Sequence, residues 1–265
     1  MKTSPKCLLT GATGGIGKAI ALELALQGYS LVLHGRNELK VSVLREQLPC
    51  VNGAAPHEIV VGDITNAEDR ATVIKQAFLS APVSLLINNA GVTSFNRFSN
   101  LAEHEISEII SVNLISTIQF TYEFLQTKRF SQATVVNIGS ALGAIGFPGY
   151  SIYCASKFGL RGFTESLNRE LSQSNVRVCY LAPRATRTES NSTEAVEMNN
   201  AMGSKIDPPE TVAKSLTKLL ASESDRKSIG WPEKLFARIN GLLPELVDSS
   251  IKKKLSTILK FTEGK

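Results

Sequence analysis

Short apolar segments, rich in β-branched residues, alternate with longer segments of helical periodicity along most of the chain. The apolar segments are 7–10, 30–33, 58–61, 84–87, 134–138 and 176–181. The helical segments between them are 15–27, 38–48, 66–79, 103–128 and 151–173. Strands that are apolar on both faces and alternate with helices are typical of a parallel sheet covered by helices on both faces. The sequence therefore predicts an α/β fold with a single doubly wound parallel sheet.

The length and composition favour one domain in a reducing compartment. A chain of 265 residues with 43% apolar and 20% charged residues can bury one large core. We expect residues 1–225 to form the main body and residues 226–265 a basic, amphipathic extension of the same domain. The first 15 residues lack the long apolar region of a secretion signal, and no stretch is apolar enough to span a bilayer. These features favour a cytoplasmic protein.

Cysteines, histidines and the charge distribution argue against metal and nucleic-acid sites. The four cysteines and three histidines are scattered and form no metal-binding spacing. From Arg226 onward the chain has nine basic and four acidic residues, whereas the remaining 20 basic and 20 acidic residues balance. The scattered cysteines and histidines therefore predict no metal site, and because the main body has no excess of positive charge, we expect no nucleic-acid partner.

A glycine-rich turn, TGATGGIG at 10–17, lies between the first apolar segment and the first helical segment. A phosphate group can approach the backbone N–H groups of a helix N-terminus only where no side chain is in the way. Glycine at 11, 15 and 17 meets this requirement, although a merely tight turn would also use glycine. The turn predicts a dinucleotide site with contacts from Gly11, Thr13, Gly14, Gly15, Ile16 and Gly17.

The residue after the second strand indicates which dinucleotide binds. A site for NAD usually has an acidic residue there, which binds the ribose 2′-hydroxyl group. Here the strand ends in His34-Gly35-Arg36, and the first carboxylate is that of Glu38. A guanidinium group can bind a 2′-phosphate with two hydrogen bonds, so Arg36 favours NADP over NAD. The alternative is an arginine that only faces solvent.

Tyr153 and Lys157 are one helical turn apart and therefore share a face of the predicted helix. A nearby ammonium group favours the phenolate, and lowering a pKa from about 10 to about 7 takes about 4 kcal/mol. A phenol adjusted in this way can donate a proton to a carbonyl oxygen as hydride arrives, or take the proton back. Ser140 follows the fifth strand and can donate a second hydrogen bond to that oxygen.

Together these motifs resemble those of the short-chain dehydrogenase/reductase family across residues 6–225. Further matches are Asn-Asn-Ala-Gly at 88–91, the pair Asp63-Ile64, and Asn113. The resemblance implies a Rossmann-like fold, dimers or tetramers of identical subunits, and a catalytic tetrad of Asn113, Ser140, Tyr153 and Lys157. By the same resemblance, Asn113 holds a water molecule that links Lys157 to solvent. The implied cofactor contacts beyond the glycine turn and Arg36 are Asp63, Ile64, Asn89, Ala90, Gly91, Tyr153, Lys157, Pro183 and Thr188.

The chain departs from the family pattern after the sixth strand. The family usually has glycine after the proline, but here Arg184 follows Pro183, while Thr188 keeps the place of a family threonine. Arg184 and Arg187 could bind an anionic part of the substrate, such as a phosphopantetheine or carboxylate group, or could simply face solvent. The polar stretch 186–206 has the character of a mobile flap.

The C-terminal extension is the second departure. After Pro244, apolar residues recur at helical spacing at Val247, Ile251, Leu255 and Ile258, with lysines at 252–254 elsewhere on the helix. A basic amphipathic helix of this kind could lie on an anionic membrane surface, with further anchors at Trp231, Leu235 and Phe236. The alternative, which we favour, is packing on its own domain or on a second subunit.

The sequence thus predicts an NADP(H)-dependent oxidoreductase that transfers hydride between nicotinamide and the carbonyl or secondary alcohol of a lipophilic substrate. An apolar pocket wall is suggested by the residues that follow Ser140, namely Ala141, Leu142, Ile145 and Phe147. One alternative is a reductase of 3-oxoacyl thioesters of acyl carrier protein or coenzyme A. Another is a non-catalytic scaffold that binds NADP, although the complete tetrad argues against it.

Overall fold

The computed structural model describes residues 4–51 and 55–262, and a parallel sheet of seven strands lies at its centre. The strands are β1 (Lys6–Leu9), β2 (Ser30–Gly35), β3 (Glu58–Val61), β4 (Leu85–Asn88), β5 (Ala133–Ile138), β6 (Val176–Ala182) and β7 (Arg226–Ser228). They lie side by side in the order β3-β2-β1-β4-β5-β6-β7, and every neighbouring pair is parallel. This order confirms the predicted doubly wound α/β fold.

The described part of the chain forms eleven α-helices. They are α1 (Gly15–Leu26), α2 (Glu38–Gln47), α3 (Ala67–Ala77), α4 (Glu103–Ile110), α5 (Ser116–Gln126), α6 (Ser151–Glu170), α7 (Thr193–Ala201), α8 (Pro209–Leu220), α9 (Glu233–Leu242), α10 (Pro244–Lys253) and α11 (Leu255–Lys260). The first six strands alternate with helices, as the sequence pattern predicts. The helices α9 to α11 belong to the C-terminal extension.

Helices cover both faces of the sheet, and each face has its own apolar core. On one face, Leu9 and Leu33 belong to a cluster with residues of α1, α2 and α8. On the other face, Leu8 and Val32 pack with residues of α3 and α5. Successive side chains of a strand point to opposite faces, so both faces of each central strand are buried. This burial on both sides explains why the strand segments are apolar throughout.

The winding of the chain reverses between β1 and β4, which are neighbours in the sheet although β2 and β3 separate them in the sequence. Such a reversal leaves a crevice at the carboxyl edge of the sheet, where ligands of doubly wound folds bind. The glycine turn at 10–17 follows β1, and the Asn-Asn-Ala-Gly motif at 88–91 ends β4. The fold therefore brings both motifs to one crevice.

Three elements differ from the sequence prediction. The helix predicted over 103–128 is divided into α4 and α5 by a π-helical turn at Ser111–Ile115. The polar stretch 186–206 contains α7, a helix without a strong apolar face. Strand β7 was missed because Arg226, Lys227 and Ser228 carry no apolar pattern, and it pairs with β6 at the edge of the sheet.

The C-terminal extension packs on its own domain. The predicted single amphipathic helix is interrupted at Lys254, which ends α10 and precedes α11. Val247 is 2% exposed, and Ile258 is fully buried in a cluster with Phe95 and with Met198 of α7. These residues of the apolar face are therefore not available to a membrane. Two of the charged residues counted for the extension, at 263 and 265, lie outside the described residues.

Candidate active site

All the predicted site residues except Asn113 line one cleft of about 1040 Å³ at the carboxyl edge of the sheet. The glycine turn, Arg36 and Asp63 lie around the part formed by the first three strands. Ser140, Tyr153 and Lys157 lie in the part formed after β5 and by α6. The segment 183–206, the C-terminal extension, the loop after β4 and α4 supply the remaining walls. Residues from strands, helices and the loops between them therefore meet at one concave site.

The glycine turn fits tightly against the loop after β4. Gly11 has a φ of +62°, and a Cβ atom there would lie 2.8 Å from the Cα atom of Ala90. The side chain of Asn89 fixes this arrangement, because its amide nitrogen donates to the carbonyl oxygens of Thr10 at 3.1 Å and Gly11 at 2.9 Å. The Thr10 hydroxyl in turn accepts from the backbone N–H groups of Asn89 and Ala90. Asn89 thus braces the turn.

The N-terminus of α1 is open to an anion. Gly14 is exposed at the N-cap position, and no side chain caps the helix or places an acid in its first turn. A Cβ atom at Gly14 would meet only the carbonyl oxygen of Gly11 at 3.6 Å, so glycine here leaves space above the turn. Free N–H groups at a helix N-terminus attract negative charge. The donors of the first turn therefore fit the diphosphate of a dinucleotide.

Arg36 and Asp63 lie together at the ends of β2 and β3. Arg36 is exposed, and it lines the cleft. One carboxylate oxygen of Asp63 accepts hydrogen bonds from the backbone and the hydroxyl of Thr65, at 2.9 and 2.8 Å. Burial raises the pKa of Asp63, but the Thr65 hydrogen bonds and the charge of Arg36 outweigh it and hold that pKa below its usual value. This end of the cleft has an ionised carboxylate and an unobstructed guanidinium group.

Ser140 and Tyr153 face each other across the cleft floor. Ser140 follows β5 and Gly139, and its hydroxyl oxygen accepts from the backbone N–H of Leu142 at 3.1 Å. Tyr153 lies in the first turn of α6. Burial raises the pKa of Tyr153 to about 12, although a hydrogen bond with the Ser140 hydroxyl lowers it in part. Without a bound ligand, the phenol is therefore protonated at neutral pH.

Lys157 lies beneath Tyr153, on the same face of α6. Its amine is 5.7 Å from the centre of the Tyr153 ring and donates to the carbonyl oxygen of Ile138 at 3.1 Å. Burial lowers the pKa of Lys157 to about 8. The predicted lowering of the Tyr153 pKa by Lys157 is therefore wrong for the protein alone, because burial disfavours the charged form of both groups.

Asn113 does not line the cleft but supports it through hydrogen bonds to two of the segments that form it. It is fully buried in the π-helical turn, and its amide exchanges two hydrogen bonds of 2.8 Å with the backbone of Val92. It also donates to the hydroxyl of Ser156, the residue before Lys157, at 3.1 Å. The side chain thus connects the loop after β4 to α6. Its role as the ligand of a water molecule stays a prediction.

Tyr180 is a site residue that the sequence analysis missed. It is 4% exposed on β6, and its hydroxyl accepts from the Ser140 backbone N–H and donates to the carbonyl oxygen of Lys157, each at 3.4 Å. A Cβ atom at Gly139 or at Gly143 would overlap the Tyr180 ring or hydroxyl. Glycines on both sides of Ser140 are the sequence signal that a large group passes close to this loop.

The far end of the cleft is apolar and aromatic. Phe95, Phe147 and Tyr150 form a cluster, with 4.9 Å between the ring centres of Phe95 and Tyr150. Tyr150 also makes an edge contact with Tyr153, at 6.1 Å between ring centres. Further apolar walls come from α7 and the C-terminal extension, namely Met198, Met202, Phe236, Val247 and Ile251. A ligand beside Tyr153 would therefore meet mostly apolar surface.

Arg184 occupies neither of its predicted environments. Its side chain is 7% exposed, and it forms two 2.8 Å contacts with the carboxylate of Asp207. Because its donors are used within the protein, the predicted contact with an anionic substrate and the solvent-facing alternative are both wrong. Arg187 is exposed and does not line the cleft.

The described residues contain neither a cluster suited to a metal ion nor a helix that could cross a membrane. Residues 4–51 and 55–262 contain no group of three or more histidine, cysteine, aspartate or glutamate side chains that could hold a metal ion. Over the same residues, every helix is too short or too polar to cross a membrane.

The fold and the cleft define a dinucleotide-binding α/β protein with a Ser-Tyr-Lys cluster beside its crevice. The sequence model of the family described as "short chain dehydrogenase" matches residues 6–199 of the chain. The chain belongs to the short-chain dehydrogenase/reductase family, and it is an oxidoreductase of C–OH and C=O groups.

Individual relatives agree with this assignment. The chain is 36% identical over 182 residues to nodulation protein G of Rhizobium meliloti (strain 1021), covering 68% of this chain and 73% of that protein. It is 30% identical over 225 residues to the 3-oxoacyl-[acyl-carrier-protein] reductase FabG of Rickettsia bellii (strain RML369-C), covering 82% and 89%. A solved short-chain dehydrogenase from Sphingobium yanoikuyae in complex with NADPH has a TM-score of 0.75 and 26% identity, with 92% and 95% covered.

Proposed function

We propose that this chain is an NADP(H)-dependent oxidoreductase that acts on the carbonyl or secondary alcohol group of a lipophilic substrate. One observation supports this most strongly. The hydroxyls of Ser140 and Tyr153 and the amine of Lys157 lie in the same cleft as an uncapped helix N-terminus with a glycine turn. Reduction of a carbonyl group by a nicotinamide dinucleotide needs a site that holds the dinucleotide and a proton donor beside the reacting carbonyl, and the cleft offers residues suited to both.

Each residue has a distinct role in this proposal. Tyr153 donates the proton to the substrate oxygen, and Ser140 donates the second hydrogen bond to the same atom. Lys157 and the backbone held by Asn113 position the phenol and the cofactor ribose. The glycine turn holds the diphosphate, with Thr13, Ile16 and Thr188 beside it. The bound cofactor would supply the hydride, and the positive charge of its oxidised ring would favour the phenolate.

The preference for NADP rests on Arg36. Arg36 is exposed at the end of β2, where a 2′-phosphate would lie, and its charge acts on the carboxylate of Asp63 in the same cleft. The solved complex of a similar protein with NADPH supports a phosphorylated cofactor, whereas another similar protein was solved in complex with NAD. Asp63, Ile64, Asn89, Ala90, Gly91 and Pro183 are the further cofactor contacts that we propose.

A free lipophilic carbonyl compound is the substrate that the cleft favours. Aromatic residues and the C-terminal extension enclose the space beside Tyr153. The runner-up is a 3-oxoacyl thioester, and the similarity to a 3-oxoacyl-[acyl-carrier-protein] reductase supports it. A scaffold that binds NADP without turnover is the third possibility, and it requires no proton donor in the cleft.

A substrate panel tests these alternatives. We would follow the absorbance of NADPH and NADH with ketones and aldehydes of increasing chain length, and with 3-oxoacyl thioesters. The proposal predicts faster turnover with NADPH and with longer apolar substrates. A tenfold preference for NADH would refute the argument from Arg36, and turnover confined to thioesters would favour the runner-up. Binding of NADPH without consumption by any carbonyl compound would favour the scaffold.

Assembly and location are further proposals. Ile115, Tyr122 and Phe158 are large apolar side chains that are exposed on the π-helical turn, α5 and α6, which suits a dimer or tetramer of identical subunits. We propose a cytoplasmic location on the grounds of the sequence. Light scattering of the purified protein tests the assembly, and a monomer at micromolar concentration would contradict it.

Because Val247 and Ile258 of the extension are buried, a peripheral contact with a membrane would involve other residues of the extension. Trp231 is 69% exposed, Leu242 is 81% exposed, and Lys234 and Arg238 lie exposed between them. Apolar and basic residues side by side suit an anionic bilayer surface. Co-sedimentation with vesicles rich in phosphatidylserine should fall for Leu242→Asp relative to the unchanged protein. Equal pelleting of the two would remove this proposal.

A further inference from the structure

Arg184 joins three segments that are far apart in the sequence. It lies in the loop after β6, and its Nε and Nη2 atoms contact the two carboxylate oxygens of Asp207 at 2.8 Å. Its Nη1 atom donates to the carboxylate of Glu233 and to the carbonyl oxygen of Trp231, each at 3.2 Å. The side chains of Arg184 and Asp207 are both 7% exposed. One guanidinium group therefore has partners in the stretch before α8 and at the start of the C-terminal extension.

These contacts close the base of the flap at 186–206. Asp207 follows the flap directly, and its backbone N–H donates to the carbonyl oxygen of Ala185 at 2.9 Å. The backbone N–H of Arg187 donates to the carbonyl oxygen of Asp207 at the same distance. The two ends of the flap are thus fastened to each other beside Arg184. The part between them carries α7 and its cleft residue Met198.

The same guanidinium group fixes the start of the C-terminal extension. Glu233 is the first residue of α9, and a Cβ atom at the neighbouring Gly230 would lie 2.7 Å from both the Cδ atom of Arg184 and the carboxylate of Glu233. Glycine at this position lets the chain approach the ion pair closely. Further along the extension, Val247 and Ile251 also line the cleft.

We propose that Arg184 is a positioning residue that sets the width of the substrate end of the cleft. The flap and the extension both start from its ion pairs, and they meet again where Ile258 packs with Met198. Burial of a guanidinium group with two carboxylates has a large desolvation cost. In return, the hydrogen bonds between these groups fix their relative positions. Its loss releases both walls at their common base, while the glycine turn and the Ser-Tyr-Lys cluster keep their own supports. The inference rests on the proposed function for its substrate readout.

The consequence is a selective effect on long substrates. A short aldehyde contacts only the residues around Tyr153, whereas a long apolar ketone also contacts the walls formed by the flap and the extension. Arg184→Met should raise the KM of the long substrate tenfold or more and change that of the short one less than threefold. The kcat for both substrates should stay within threefold of that of the unchanged protein.

Arg177→Met is the matched control. Arg177 lies near the start of β6, the strand that precedes Arg184, and it forms a 2.8 Å ion pair with Asp225 and hydrogen bonds to the carbonyl oxygens of Leu219, Leu220 and Ser224. It makes as many contacts as Arg184 but does not line the cleft. This substitution should lower the Tm and leave the ratio of the two KM values unchanged. Glu233→Gln keeps the ion pair between Arg184 and Asp207. It should raise the KM of the long substrate by less than Arg184→Met does.

Amide hydrogen exchange separates this inference from the proposed function, because it needs no turnover. Exchange should become faster in α7 and α9 of Arg184→Met and Glu233→Gln, and should be unchanged there in Arg177→Met. Faster exchange in α7 and α9 of the first two variants supports the inference even if no carbonyl compound is reduced. Unchanged exchange in these helices, or an equal rise of the KM ratio in Arg177→Met, would overturn it.

Discussion

The amine of Lys157 lies 5.7 Å from the centre of the Tyr153 ring and donates its hydrogen bond to Ile138 instead of the phenol. Both groups face the same cleft, as their spacing on α6 requires. Because burial raises the pKa of Tyr153 to about 12 and lowers that of Lys157 to about 8, the protein alone holds a protonated phenol. This state suits the donation of a proton in the direction of reduction, whereas alcohol oxidation requires a further positive charge in the cleft.

The loop that carries Ser140 depends on glycine at 139. A methyl group there would overlap the Tyr180 ring, so Gly139→Ala should destabilise the protein by about 2 kcal/mol and reduce turnover. Gly162→Ala is the control, because Gly162 is exposed in α6 and its added Cβ would meet no atom within 4 Å apart from its chain neighbours and the adjacent backbone of the helix. Its substitution should stabilise the protein by about 0.5 kcal/mol. Urea unfolding measures both, and equal effects would contradict the packing around Tyr180.

Arg36→Ala should raise the KM for NADPH tenfold or more and leave that for NADH nearly unchanged. A hydrogen bond to a charged group contributes about 1.5 to 3 kcal/mol. Only NADPH can lose this contribution in the variant, because NADH has no 2′-phosphate. Lys40→Ala is the control, since Lys40 is an exposed cation of α2 that does not line the cleft. Initial rates with each cofactor measure the effect. An equal rise in the KM for NADPH and NADH would show that Arg36 does not bind the 2′-phosphate.

Stability should fall as the pH decreases below about 6.5 because of His34. Burial lowers its pKa, although the carbonyl oxygen of Gly62 and the carboxylates of Asp63 and Asp69 act in the opposite direction. Below the pKa of about 6.5 that histidine has in the unfolded chain, His34 is protonated in the unfolded state but stays neutral in the folded protein. The free energy of unfolding should therefore be lower at pH 5.5 than at pH 7.5.

Two variants test this assignment by urea unfolding at both pH values. His34→Gln should remove most of the difference between them, whatever its effect on stability at pH 7.5. His104→Gln, at an exposed position of α4, should retain the difference. If His34→Gln shows the same difference as the unchanged protein, the pH dependence arises elsewhere.

Two neighbouring residues of α10 distinguish packing on the domain from an exposed tail. Val247 is 2% exposed and Leu246 is 59% exposed. Val247→Ala should cost about 2 kcal/mol and raise the KM for long apolar substrates, because Val247 also lines the cleft. Leu246→Ala should change stability by less than about 0.5 kcal/mol. Thermal and urea unfolding measure both, and a negligible cost for Val247→Ala would contradict the packing of the extension.

The sequence predicted those parts of the fold that depend on local pattern. Strands such as β2 have apolar residues on both faces, so their positions follow from the sequence alone. The residues of the glycine turn and of the Tyr153 helix were placed for the same reason, because each motif is local. Strand β7 could not be predicted, since its three polar residues become a strand only by pairing with β6.

Contacts between distant segments were not predictable in this way. Nothing in the residues around Arg184 indicates that Asp207 and Glu233 approach it, because this depends on how the flap and the extension fold back. The pKa of Tyr153 is a second example. The spacing to Lys157 gives their shared face, but the burial that raises the Tyr153 pKa is a property of the whole cleft.

The comparison of cofactor binding and turnover in Tyr153→Phe tests the central claim most directly. The substitution removes only the hydroxyl group that donates the proton. We predict that the Kd of NADPH, measured by fluorescence, stays within threefold of its original value while the reduction of the best carbonyl substrate falls at least a hundredfold. Reduction at more than a tenth of the original rate with normal NADPH binding would contradict the assignment of Tyr153 as the proton donor.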